Sequence, residues 1–249
     1  MPTLLVFARF PRAGQVKTRL AAGIGTAAAL RVYRAMLFDS LERFCSVPAA
    51  GRRLFLSGCS EQEGRELLAR STCTEGFSIA LQKGQDLGAR LSNALREVGP
   101  CAGGFLILGA DSPTVPLSYL RRAVRALARV PVVLGPAVDG GYYLLAVRES
   151  RRELFEGIDW GSNKVLEQTL SHLGPGEYLL LPRWFDLDTA DDLEKVRQEV
   201  SHRPSWKNSR LRKELGKLAE TPAPSSASNK VPTDSESPPD GPSGSPPFL

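Results

Sequence analysis

Short apolar runs and longer amphipathic stretches alternate along residues 1–201. Five runs read as buried strands: residues 3–8, 53–57, 77–81, 104–108 and 132–135. Each is brief, nearly continuous in apolar side chains and bounded by turn formers. Between them the period becomes helical. Over residues 26–44, Leu30, Tyr33, Leu37, Leu41 and Phe44 recur at three- and four-residue steps and share one face. Residues 87–97, 116–128 and 163–173 are further helices, and residues 191–200 form a closing helix with Thr189 as its N-cap. Residues 142–147, after a Gly-Gly pair, read as an added strand, open to antiparallel pairing. Strands alternating with helices predict an α/β fold: three layers, with a mostly parallel sheet and helices on both faces.

The composition changes sharply from Thr221 to the end. That segment holds eight of the chain's 19 prolines, many serines and one aromatic, Phe248. It has too little apolar surface to offset its ordering entropy, so residues 221–249 are expected to be a disordered tail. Residues 202–220 precede it as a basic extension that ends in a solvated helix over 209–217. The formal net charge is +5, and residues 202–217 carry the whole excess, six cations against Glu214. The remainder is near neutral, which argues against nucleic acid as a partner.

Cysteine and histidine narrow the chemistry further. Cys45, Cys59, Cys73 and Cys101 include no C-x-x-C pair, so a zinc site is not expected and the thiols read as reduced. Only His172 and His202 could serve a Ser-His-Asp triad or a histidine metal site, and both read as surface residues. The apolar run from Leu4 to Ala8 is too short for a signal sequence or membrane span. A soluble, cytoplasmic protein is the expectation.

Ligands of open parallel sheets bind beyond the carboxyl ends of the strands, and four junctions there carry suitable residues. After the first strand, residues 9–20 form a turn-rich loop with four cations, Arg9, Arg12, Lys17 and Arg19, and no acid. Such cations can converge on phosphate oxygens. Lys17 and Arg19, two apart, face one side if the loop is extended, and Arg12 precedes the bend at Gly14. The loop lacks the G-x-x-x-x-G-K pattern of a P-loop. After the fourth strand comes Asp111, placed either to cap the next helix or to hold a divalent cation that bridges phosphates. After the fifth come Asp139, Gly140 and Gly141, where two glycines permit close backbone approach to a ligand or make a tight hairpin turn, and both can hold at once. At the last junction Asp186 and Asp188 alternate; Asp188 is taken as site-facing and as a second metal ligand, Asp191 and Asp192 as structural.

Four ordered blocks together resemble one family. They are residues 7–20 (FARFPRAGQVKTRL), 82–88 (QKGQDLG), 109–113 (GADSP) and 135–143 (GPAVDGGYY). They are similar to the glycosyltransferase-A-like family called rSAM/selenodomain-associated transferase, type 1, a relative of 2-phospho-lactate guanylyltransferase and of sugar-nucleotide cytidylyltransferases. Trp160-Gly161-Ser162 resembles that family's Trp-Ser-Thr segment with one departure, and Ala89 stands where the family has an acid. The likeness spans residues 2–200 and makes residues 1–201 the transferase domain. It implies a nucleotide-sugar or nucleoside triphosphate donor, a small-molecule acceptor and Mg²⁺ or Mn²⁺. Arg12, Lys17, Arg19, Gln85, Asp86, Gly140 and Gly141 would bind substrate, Asp111 and Asp188 the metal, and Asp139 with Asp111 would serve catalysis. Three functions follow in order of preference. They are glycosyl transfer from a nucleoside-diphosphate sugar, nucleotidyl transfer with release of pyrophosphate, and a non-catalytic nucleotide-binding module.

Overall fold

The computed structural model of the chain describes residues 1–70 and 76–220, so the tail expected over 221–249 lies outside the described residues. Among the described residues seven strands form one sheet: β1 (Thr3–Arg9), β2 (Gly51–Ser57), β3 (Phe77–Leu81), β4 (Phe105–Gly109), β5 (Val132–Pro136), β6 (Tyr142–Val147) and β7 (Tyr178–Leu180). Their order across the sheet is β3-β2-β1-β4-β6-β5-β7. All neighbouring pairs are parallel except those of β6, which runs antiparallel to both β4 and β5. The mostly parallel sheet is therefore as the sequence predicts, and the added strand takes the antiparallel pairing that was open to it.

The helices are α1 (Thr18–Ile24), α2 (Thr26–Phe44), α3 (Glu61–Ala69), α4 (Leu87–Val98), α5 (Leu117–Ala126), α6 (Val165–Ser171), α7 (Ala190–His202) and α8 (Arg210–Glu220). Central strands are apolar on both sides because both sheet faces are covered. In β1, Leu4, Val6 and Ala8 enter one core with Leu37, Leu41 and Phe44 of α2. Leu5 and Phe7 enter the other core with Leu87, Leu91 and Leu95 of α4. At roughly 1.5–3 kcal/mol for each fully buried large apolar side chain, these two cores hold the carboxyl ends of β1 and β4 side by side.

A third core differs from expectation. Trp206, Leu211 and Leu215 are buried with Val32 and Met36 of α2 and with Val196 and Val200 of α7. Asp39 of α2 accepts hydrogen bonds from the backbone amides of Arg210, at 3.2 Å, and Leu211, at 2.8 Å. The basic extension thus forms its helix, but the helix is docked on α2 rather than solvated. The reason is visible in α8 itself: Leu211, Leu215 and Leu218 fall at i, i+4 and i+7, an apolar stripe under the cations. Three elements were not anticipated from the pattern. They are α1, read as loop; α3, which Ser60 and Glu63 start with a reciprocal capping box; and the three-residue edge strand β7. Among the described residues, no helix is long and apolar enough to cross a membrane.

Candidate active site

A cleft of about 310 Å³ opens where β1 and β4 end. The end of β1 contributes Arg9, the loop after it Lys17, and the first turn of α1 Arg19; the loop after β4 contributes Asp111; the β5–β6 turn contributes Asp139; and the segment before α7 contributes Asp188. Five of the sequence-predicted site residues, Lys17, Arg19, Asp111, Asp139 and Asp188, therefore meet in one place.

Lys17 sits at the centre. It is the only non-glycine with positive φ among the described residues, at φ 48° and ψ 48°, a left-handed conformation that costs an L-residue energy and gathers at functional sites. Its carbonyl accepts from the Ala21 amide at 2.8 Å, which starts α1. Its side chain is only 5% exposed, and its Nζ pairs with Asp111 and, at 2.6 Å, with Oδ1 of Asp188. Burial alone would push the ammonium's pKa down, but the two carboxylates outweigh burial and hold it above the ordinary lysine value. Asp111, 8% exposed, is pushed upward by burial; Lys17 opposes that rise and the charge of Asp188 adds to it.

The segment before α7 is tied to the end of β4 in two places. Leu187 donates its amide to the Asp111 carbonyl at 2.9 Å, and Ser112 Oγ donates to Asp186 Oδ1. These bonds turn Asp186 under the loop and leave Asp188 facing the cleft. Burial first, then the charge of Asp111, raises Asp186 well above the usual carboxylate range. Asp192 caps α7 by accepting from the Thr189 amide at 2.9 Å, and Asp191 is exposed.

Other expected positions are placed differently. Arg19 lies in the first turn of α1 rather than in an extended loop, and it reaches the carboxylate that Lys17 holds from the rim of the cleft. It is 73% exposed and its guanidinium stands 3.9 Å from Asp188 Oδ2. Arg12 is not brought to the cleft; its guanidinium pairs with Glu63 of α3 at 2.7 Å. Gln85 and Asp86 do not line the cleft either. Asp86 caps α4 by accepting from the Ala89 amide at 2.7 Å. Gly88, two residues further, packs against the Trp160 indole, and Gly161, Ser162 and Asn163 then form a cleft wall. Gly140 has φ +95°, and a Cβ there would meet the Asn163 backbone. The close approach permitted by that glycine is thus to the protein's own chain. Gly141 donates its amide to Asp139 Oδ1 at 3.0 Å, which fixes an otherwise exposed carboxylate.

Among the lining residues that the sequence does not single out are Arg9 and Tyr33. Arg9 was one of four loop cations with nothing to rank it. Tyr33 belongs to the apolar face of α2 and reads as core. Its hydroxyl, however, reaches the cleft, donating to the Arg9 carbonyl at 2.8 Å and accepting from the Arg9 amide at 2.9 Å.

For a divalent cation, Asp111 and Asp188 supply hard oxygen donors that already share one positive charge, the Lys17 ammonium. No group of three or more His, Cys, Asp or Glu is placed to hold a metal among the described residues. Two carboxylates completed by substrate phosphates is a normal Mg²⁺ arrangement, so the donor set fits.

Residues 41–162 match the family model described as "Uncharacterized protein conserved in bacteria (DUF2064)". None of the curated proteins matches the chain. Among solved structures, the chain is similar to a Desulfovibrio desulfuricans G20 protein described, provisionally, as a nucleotide-diphospho-sugar transferase. The two are 27% identical, the match covers 88% of this chain and 95% of the other, and the TM-score is 0.79. The 4-diphosphocytidyl-2C-methyl-D-erythritol synthase of Anaerococcus prevotii DSM 20548 shares the fold at 10% identity, over 80% of this chain and 96% of its own, with a TM-score of 0.56. A CMP:2-keto-3-deoxy-manno-octonic acid synthetase complexed with CTP shares it at 14% identity, over 81% and 99%, with a TM-score of 0.50. The chain carries the fold of the nucleotide-diphospho-sugar transferases and nucleotidyltransferases, with its charged cleft at the carboxyl ends of β1 and β4.

Proposed function

We propose that this transferase moves a glycosyl group from a nucleoside-diphosphate sugar to a small-molecule acceptor, with a divalent cation held by Asp111 and Asp188. The observation that carries this reading is the interleaving of Arg9, Lys17 and Arg19 with Asp111 and Asp188 in one cleft. It is supported by the 27% identity to the Desulfovibrio protein and by the four blocks that resemble the rSAM/selenodomain-associated transferases, type 1. Lys17, Arg9 and Arg19 grip the diphosphate through charge-assisted hydrogen bonds. Asp139, steadied by the Gly141 amide, orients the acceptor hydroxyl and takes its proton. The new bond joins the acceptor oxygen to the sugar's anomeric carbon. The bond from that carbon to the diphosphate breaks, and the nucleoside diphosphate leaves with the electron pair. Mg²⁺ or Mn²⁺, when bound, supplies Lewis acidity that neutralises charge on the leaving diphosphate.

One observation favours nucleotidyl transfer as a second reading. Asp188 shares Lys17 with Asp111, an arrangement suited to a metal on a triphosphate. The test is a panel of nucleoside-diphosphate sugars and nucleoside triphosphates, scored for thermal stabilisation with and without Mn²⁺. Diphosphate-sugar binding with release of a nucleoside diphosphate supports the first reading. Triphosphate binding with release of pyrophosphate supports the second. No stabilisation by any member of the panel would overturn both.

A further inference from the structure

We propose that Lys17 is a resident counter-ion: its ammonium occupies the place between Asp111 and Asp188 that a divalent cation needs, so metal and phosphate enter the cleft together rather than one by one. This rests on the reading of Asp111 and Asp188 as metal ligands.

The ammonium contacts both carboxylates and is almost sealed from water, at 5% exposure. A divalent cation brought onto the same oxygens would meet a like charge at contact distance, in a setting where solvent screens little. One of the two cations must leave. Lys17 can leave without unfolding anything. Its backbone is anchored on one side by buried Val16 and on the other by its own carbonyl, which accepts from Ala21 at 2.8 Å. The four-carbon stem can therefore swing while the left-handed backbone stays in place.

The ammonium then needs a new anion, and the described cleft offers only Asp139 as a further carboxylate, already engaged by the Gly141 amide. A phosphate brought by the nucleotide supplies that anion. Metal binding alone strands the ammonium, and phosphate binding alone pulls it off two carboxylates. Each ligand therefore raises the other's affinity by the same factor, as linkage requires. The arrangement also offsets part of the acidic pair's charge between turnovers without a bound metal.

The experiment titrates Mn²⁺ alone into the full chain and follows free Mn²⁺ by electron paramagnetic resonance. The parent should bind weakly. Lys17→Met, close in shape and uncharged, should bind Mn²⁺ at least tenfold more tightly. Lys17→Arg, which keeps the charge, should stay as weak as the parent, and Lys17→Met/Asp111→Asn should lose the gain. If Lys17→Met does not fold, Lys17→Gln carries the same expectation. A metal affinity unchanged by loss of the ammonium would overturn the proposal, as would failure of parent and variants alike to bind Mn²⁺. Inorganic pyrophosphate, titrated without metal, separates the two levels. If pyrophosphate binds the parent and Lys17→Met weakens it while Mn²⁺ affinity is unchanged, the counter-ion role fails alone. If the parent binds no pyrophosphate and no variant binds Mn²⁺, the transferase reading of the cleft fails with it.

Discussion

Replacing Asp111 with Asn should remove function without removing stability. The substitution keeps the shape and takes one charge from a cluster in which Asp111 and Asp188 hold the Lys17 ammonium and Asp186 lies close by. Losing one partner of a buried ion pair ordinarily costs about 3–5 kcal/mol, because the other charge is stranded. Lys17 is not stranded here: Asp188 stays at 2.6 Å. What is lost is one charge-assisted hydrogen bond, roughly 1.5–3 kcal/mol, and the amide oxygen of Asn keeps a neutral bond of about 0.5–1.5 kcal/mol in its place. Against that net loss stand the burial of the carboxylate and its repulsion from Asp188. The two partners shift in senses that oppose each other energetically. Lys17 lies above its ordinary pKa, so its charge is favoured, while Asp111 also lies above its own, so its charge is disfavoured. Since Lys17 keeps one carboxylate, the direction at Asp111 decides the outcome, and the neutral residue folds at least as well. A change of about 1 kcal/mol moves the melting temperature by roughly 2–4 °C in a chain of this size. Asp111→Asn should therefore melt level with the parent or up to about 4 °C higher at neutral pH by calorimetry. Its Mn²⁺-assisted affinity for the nucleotide selected by the panel should fall about tenfold or more, the equivalent of roughly 1.4 kcal/mol. A melting point lower by about 5 °C would show that Asp111 is a structural ion-pair partner. Unchanged affinity would show that it is no metal ligand.

Four further substitutions probe the surroundings. Arg19→Ala should weaken nucleotide binding several-fold, by about 1 kcal/mol for a rim cation, whereas Arg12→Ala should leave it unchanged because Arg12 is paired with Glu63 outside the cleft; calorimetric titration at one fixed salt concentration distinguishes them. Gly140→Ala forces a side chain into a left-handed position at φ +95° and against the Asn163 backbone, so it should destabilise by about 1–3 kcal/mol in urea melts and weaken nucleotide binding by shifting Asp139. Leu211→Ala, at a residue with 0% exposure, should cost about 2–5 kcal/mol, where a solvated helix would lose almost nothing; equal urea midpoints for parent and variant would refute docking of α8 on α2.

The fold and the centre of the candidate site are legible in the chain because both follow from local rules. A strand buried on both faces must be apolar throughout, and the residue that follows it emerges at the ligand-binding edge. Asp111 and Asp139 were found that way, and Lys17 through the cationic loop after β1. The misplacement of Arg12 depends on a partner distant in sequence. Arg12 is a cation of the same loop as Lys17, and Glu63 of α3, fifty-one positions away, pairs with it outside the cleft. Arg19 sits exposed at the cleft's rim because residues 18–24 coil into α1, which an extended reading of the loop does not show. The basic extension differs from expectation for another reason, because its charge describes only one side of its helix. Six positive charges described the solvent side of the segment, while Leu211, Leu215 and Leu218 described the buried side. Charge tells where a helix meets water; its apolar period tells where it meets the protein, and here the second tie is made by Asp39, whose carboxylate waits on α2 for the first amides of α8. Removal of that carboxylate would leave the amides of Arg210 and Leu211 without the acceptor that starts the helix. The extension is thereby specified by a residue one hundred and seventy-one positions before it, a link that no window along the sequence contains.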